Sequence, residues 1–339
     1  MSSTDLMRAA LNGDLEGVEA NLGDIGKQNK GGWTALMYAV EKGHANCIPL
    51  LKEEIRMQDN DGWTALMKAA IFGYTDCVRL LLSEARKQTT KEWRVFPPGT
   101  TALMVASFNG QVDCILLLEK EIGIQDNEGW TALMHAAYNG KIDCARLLLS
   151  EAGKQTTKEW NEYSPDEWDS SDSEEQYGFP PGMTALMIAV RQNCPEMIEL
   201  LLPYEQGMGD SKGHTAQWYA NNGDLGEDDF TSVCELLKNE GTERIHPPSN
   251  LGDVLRLQEH LSKLTTENET LKMELADQKA QNIALEKEVT QLRTESHDMK
   301  DLQRRLEEVE EEKRILLQNL AAVGGRLTNH PQGIGTPTG

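Results

Sequence analysis

The cysteines are the first residues in this chain with reactive chemistry to offer. Cys47, Cys77, Cys114 and Cys144 each lie thirteen residues after a threonine, namely Thr34, Thr64, Thr101 and Thr131. Thiols in register could hold a metal ion or form a ladder of disulfides. Equivalent positions on stacked helices, however, lie about 8–10 Å apart. A disulfide needs Cα atoms within ~7 Å, and zinc needs ligands that converge on one ion. A small buried residue explains all four. Cys194 and Cys234 are out of register, and the seven histidines are scattered. The chain carries no phosphate-binding Gly-x-x-x-x-Gly-Lys loop, no kinase catalytic set, no His-Glu-x-x-His, no Gly-x-Ser-x-Gly elbow and no Cys-x-x-Cys pair. No catalytic residue, cofactor-binding residue, cofactor or metal ligand is therefore assigned, and a non-enzymatic protein is expected.

Two hydroxyls could carry phosphate. Ser171 has Glu174 three residues on, and Ser173 is followed by Glu174 and Glu175, contexts that suit acidophilic kinases. Both sit in NEYSPDEWDSSDSEEQYG, residues 161–178, which holds seven acidic residues and no basic one. Such a stretch cannot bury a core and is expected as a solvated loop. An unmodified loop is the plainer alternative to regulated phosphorylation.

The elements that position these residues repeat. TALM recurs at Thr34, Thr64, Thr101, Thr131 and Thr184, with degenerate copies at Thr4 and Thr215. The spacing marks about seven units over residues 1–242, each reading as two short helices. Thr34 suits the N-cap of the first, and Leu36, Met37, Ala39 and Val40 give its buried face. The second helix runs through Cys47, Ile48, Leu50 and Leu51. Polar turns such as Gln58–Gly62 and Gln125–Gly129 join the units. One such unit cannot bury its own apolar face, so the units must stack into a solenoid. SEARKQTTKEW (Ser83–Trp93) returns as SEAGKQTTKEW (Ser150–Trp160), displaced by the same 67 residues as the TALM strings. A two-unit module has been duplicated with its enlarged connection, and the acidic residues 161–178 were added to the second copy.

The pattern from Asp59 through Gly62, Thr64, Leu66 and Ala70 resembles the ankyrin repeat. Thr-Ala-Leu-Met stands here where that family has Thr-Pro-Leu-His, so the proline and the histidine hydrogen-bond network are missing. The resemblance implies a protein-binding solenoid. Ankyrin arrays of this TALM type joined to a coiled coil are similar to an expanded ankyrin protein family of diplomonad protists, some of whose members carry kinase-like domains. In the ankyrin pattern, Trp33, Trp63 and Trp130, each just before the capping threonine, fall near the finger tip that contacts partners. Each indole either anchors such an interface or packs over the neighbouring turn. Tyr38, Phe72, Phe108 and Tyr138, near the ends of the first helices, are candidate partner-binding residues on the same side.

After residues 243–249, where Pro247 and Pro248 forbid a helix, the texture changes. Positions a (Val254, Leu261, Asn268, Leu275, Asn282, Val289) and d (Leu257, Leu264, Leu271, Gln278, Leu285, Leu292) form heptads over residues 250–320. Asn268 and Asn282 at a positions favour a parallel two-stranded register. The pairs Glu267–Lys272, Glu274–Lys279 and Glu288–Arg293 would then attract across the seam. The phase slips near Glu295–Leu302. Residues 321–339 are expected to be disordered.

The formal net charge of −22 opposes binding to nucleic acid. No stretch is long and apolar enough to span a bilayer, and no secretory signal is evident. The expectation is therefore an all-α protein: an ankyrin-like solenoid, a linker at 243–249 and a long parallel dimeric coiled coil. It would act as a cytoplasmic adaptor that binds partner proteins and pairs with a second copy. The alternatives are a cytoskeleton-associated structural protein anchored by the coil, or a regulatory subunit of a kinase.

Overall fold

The computed structural model describes residues 3–160, 178–222, 231–238, 240–241 and 243–328, with side chains up to residue 319. Among the described residues the architecture is all-α. Seven helix pairs follow one another. They are α1 (Asp5–Asn12) and α2 (Leu15–Ala20); α3 (Ala35–Glu41) with a 3₁₀ segment (Ala45–Glu54); α4 (Ala65–Phe72) and α5 (Thr75–Leu81). Then come α6 (Ala102–Asn109) and α7 (Val112–Leu117); α8 (Ala132–Tyr138) and α9 (Ile142–Leu147); α10 (Ala185–Arg191) and α11 (Pro195–Glu205); α12 (Ala216–Asn222) and α13 (Thr231–Leu237). The long α14 (Leu251–Thr328) is the last described element.

Each first helix starts where the sequence marks it. Thr34, Thr64, Thr101, Thr131 and Thr184 stand in extended backbone, and each Oγ1 accepts the N–H three residues on at 3.3–3.4 Å. That bond satisfies one of the orphan donors of a helix start. The TALM residues then bury completely, Leu36, Leu66, Leu103, Leu133 and Leu186 among them. The second element of unit 2 is a 3₁₀ segment instead of an α-helix, and Pro49, which has no N–H to give, sits inside it. First helices pack on first helices in order, α1 on α3, then α4, α6, α8, α10 and α12. The apolar cluster is continuous along the whole stack.

Two compact units divide the chain, Met1–Glu259 and His260–Gly339. Residues 243–249 do not run free of the stack. The Ile245 N–H donates to the Pro203 carbonyl at 2.9 Å, and the Gln206 side chain binds the Glu243 carbonyl while accepting the Gly241 N–H at 3.0 Å. Leu251 and Val254, in the first turn of α14, are buried in the apolar cluster of the repeats. Val254 is thus occupied by the stack and is not available as the first a position of a coil. Beyond it α14 is one unbroken helix through the phase slip and past residue 320, 78 residues in all.

Candidate interaction surface

A buried glutamate ties each unit to its predecessor. Glu151 Oε2 accepts the Leu133 N–H at the start of α8 at 2.8 Å, and Oε1 accepts the Gly123 N–H of the preceding unit at 2.6 Å. The same two bonds recur at Glu54 with Leu36 and Gly26, at Glu84 with Leu66 and Arg56, and at Glu121 with Leu103 and Arg86. Glu205 and Glu240 continue the series. Each carboxylate supplies acceptors to two amides that a helix start and a turn would otherwise leave unpaired in a dry interior. Burial pushes the Glu54, Glu84, Glu121, Glu151 and Glu205 carboxyls up, while those amides and the capping threonines pull back.

The fingers form a second ladder, of backbone bonds from each finger to the one before. The Asn60 N–H donates to Gly31, Thr90 to Asp61, Asn127 to Pro98, Thr157 to Glu128 and Ser211 to Pro181, at 2.8–3.1 Å. Gln28, Gln58, Gln88, Gln125 and Gln155 add a third, each amide reaching the backbone carbonyls of its own finger and the next. The polar finger residue, an asparagine or an aspartate, also reaches the first helix nine residues on. Asn29 donates to the Tyr38 hydroxyl at 2.8 Å, Lys68 to Asp59 Oδ2 at 3.1 Å and Tyr219 to Asp210 Oδ2 at 2.5 Å. His135 Nε2 lies 3.5 Å from Asp126 Oδ2. Where the finger holds Thr89 or Thr156 instead, the partner position is Val105 or Ile188 and the threonine turns to its own finger backbone. Polar faces polar and apolar faces apolar, as burial requires.

Over these ladders lies an aromatic surface. Trp33 packs on Tyr38, with the Lys68 ammonium 3.7 Å from the Trp33 ring centroid. Burial lowers the Lys68 pKa and the Asp59 carboxylate opposes that shift. Trp63 meets Trp93 and Phe96 edge to face, and Phe96 meets Phe108. Phe108 stacks on Tyr138, and Tyr138, Trp130, Trp160 and Phe179 close a second cluster. A cavity of about 360 Å³ opens among Trp33, Glu41, Asp61, Trp63, Phe72 and Trp93.

The structure therefore sorts the sequence candidates. Trp63 and Trp130 are buried, so their indoles pack and do not stand out as surface anchors; the rings of Trp93, Phe96, Trp160 and Phe179 cover them. Trp33, Tyr38, Phe108 and Tyr138 are half-buried and Phe72 is exposed. Asn268 and Asn282 lie exposed on α14. Ser171 and Ser173 fall outside the described residues. The four in-register cysteines are free and buried, and burial pushes the Cys77 and Cys114 thiols up to about 11 and Cys144 to about 12. Those thiols are protonated near neutral pH and are poor nucleophiles. Among the described residues no group of three His, Cys, Asp or Glu could hold a metal, and no helix is long and apolar enough to cross a membrane. The sequence reading missed the glutamate ladder, although the signal was present: Glu54, Glu84, Glu121 and Glu151 each lie twenty residues after a capping threonine.

Comparison with known proteins agrees with this geometry. A family model of three ankyrin repeats matches residues 6–92 and 85–159, and a single ankyrin repeat matches residues 181–210. The crystal structure of the human ASB11 ankyrin repeat domain is similar to this chain at 22% identity and a TM-score of 0.50. The likeness covers 71% of this chain and 99% of that one, and at this identity it speaks to the fold alone. No curated protein sequence matches the chain. With capped helix pairs stacked in series and repeat matches on both sides of the acidic insertion, the chain belongs to the ankyrin repeat family.

Proposed function

We propose that this protein is a non-enzymatic adaptor that binds a partner protein through its repeats and pairs with a second copy through α14. Ankyrin repeats are a protein–protein interaction module, and no catalytic family is indicated. The observation that carries the pairing is the apolar stripe of α14. Leu257, Leu261, Leu264, Leu271, Leu275, Leu285, Val289 and Leu292 are all exposed at heptad spacing. A stripe of that length is stable in water only when another helix covers it. Asn268 and Asn282 select two parallel strands, and the three glutamate–lysine or glutamate–arginine pairs favour the same register.

The partner face is the aromatic rim built on the buried tryptophans, with Trp33, Tyr38, Phe72, Phe108 and Tyr138 as its reachable members. Two identical arrays on one coil raise avidity for a partner with two sites by about 10²–10⁴ where both can engage. Light scattering of the full chain should give twice the chain mass, and a chain ended at Glu259 should give a monomer. Partner capture by the full chain should fall with Phe72→Ala and Tyr138→Ala. A monomeric full chain would overturn the pairing, and an unchanged set of captured partners would overturn the recognition face.

A further inference from the structure

The duplicated module provides an internal control. Leu80 and Leu82 of the first copy correspond to Leu147 and Leu149 of the second, inside the shared string LLLSEA. Identical residues in stacked units should be equally exposed, yet Leu80 and Leu82 are 47% and 36% exposed while Leu147 and Leu149 are 6% and 9%. The second pair stands next in the chain to Ser150, which lines a cavity with the C-terminal strap. That strap is fixed to Pro203 and Gln206, and its Ser249–Gly252 share the cavity with Ser150, Glu119, Lys120 and Ile122. Leu251 and Val254 are its buried residues, three apart on one face of a helical turn, with Asp253 between them.

We propose that Leu80 and Leu82, together with Leu116, form a second, open seat for such a turn: a segment of a partner protein that presents two aliphatic residues three apart with an acidic residue between. Leu116 is itself 42% exposed on α7, which packs beside α5, so exposed leucines stand on two neighbouring second helices. Arg79 and Arg86 are exposed beside it, and Arg86 stands where the covered copy has Gly153. The added cation complements the acidic residue of the occupant, and two aliphatic side chains buried between leucines provide the non-directional part of the binding. This chain's own turn is already buried in the apolar cluster of the repeats, so the open seat serves another polypeptide. The seat lies on the second helices and is independent of the aromatic rim and of the pairing of α14.

A labelled synthetic peptide with the sequence of residues 243–259 is the probe, titrated with the full chain and followed by fluorescence anisotropy. Saturable binding is expected, weakened at least about tenfold by Leu80→Asp with Leu82→Asp, and abolished when the peptide carries Leu251→Asp and Val254→Asp. Because both leucines are exposed, the doubly substituted chain should keep its thermal midpoint. Three results would overturn the proposal: no saturable binding, binding that responds to Leu149→Asp but not to the Leu80 and Leu82 changes, or a loss of oligomer mass on those changes. The last would assign the patch to a contact between copies.

Discussion

Glu151 shows what a single buried carboxylate contributes to this fold. Its two oxygens each hold a backbone amide, one in its own unit and one in the unit before. In Glu151→Gln one amide would face an NH₂ group, and leaving a buried donor unpaired costs about 1–3 kcal/mol. A lowered thermal midpoint with helicity otherwise intact is the expected outcome. The pH dependence has a definite sign. Burial raises the folded pKa above the unfolded value of 4.5, so in the interval between them the folded chain binds more protons than the unfolded one. Stability then falls as pH rises through the folded pKa, and it increases as pH is lowered toward 4.5. Thermal midpoints measured from neutral pH downward should rise over that interval, and the slope should flatten in Glu151→Gln. A midpoint that falls steadily on acidification would show that the amide bonds outweigh burial.

At the scale of elements, the fingers explain how the protein tolerates an insertion. In the first copy Trp93 and Phe96 exchange backbone bonds of 2.9 and 3.0 Å across Arg94 and Val95. In the second copy Trp160 and Phe179 exchange bonds of 3.0 and 2.7 Å, although eighteen residues lie between them. The acidic segment was added at the tip of a closed bridge, where loop length costs little, since each doubling adds only about 0.6 kcal/mol. Replacing residues 161–178 by Arg-Val shortens the loop by about three doublings and should therefore stabilise the fold by no more than about 2 kcal/mol, with its helicity unchanged. A collapse of the fold would show that the insertion supports the finger. Gly62 shows why the finger register is strict. Its φ is +86°, and a Cβ there would come within 2.4 Å of the Thr90 backbone nitrogen, the donor of the next rung.

For the whole molecule, the attachment of α14 decides where the repeats end. Leu251 and Val254 belong by burial to the stack, and the compact unit extends to Glu259. Leu251→Asp with Val254→Asp should lower the thermal midpoint of the repeats while the mass in solution stays that of the parent, because Leu257 and the later leucines are untouched. A change in mass without a change in midpoint would return Val254 to the helix seam. By itself the sequence determined the seven units, the capping threonines, the buried faces and the heptad frame. All of these follow from local periodicity, in which a residue's neighbours along the chain predict its environment. Only the tertiary structure decided that Trp63 and Trp130 lie beneath other rings, that Glu54, Glu84, Glu121 and Glu151 bridge units, and that Leu147 and Leu149 are covered while Leu80 and Leu82 are exposed. Those outcomes depend on contacts between residues far apart in the chain, and identical strings carry no record of what will lie across them.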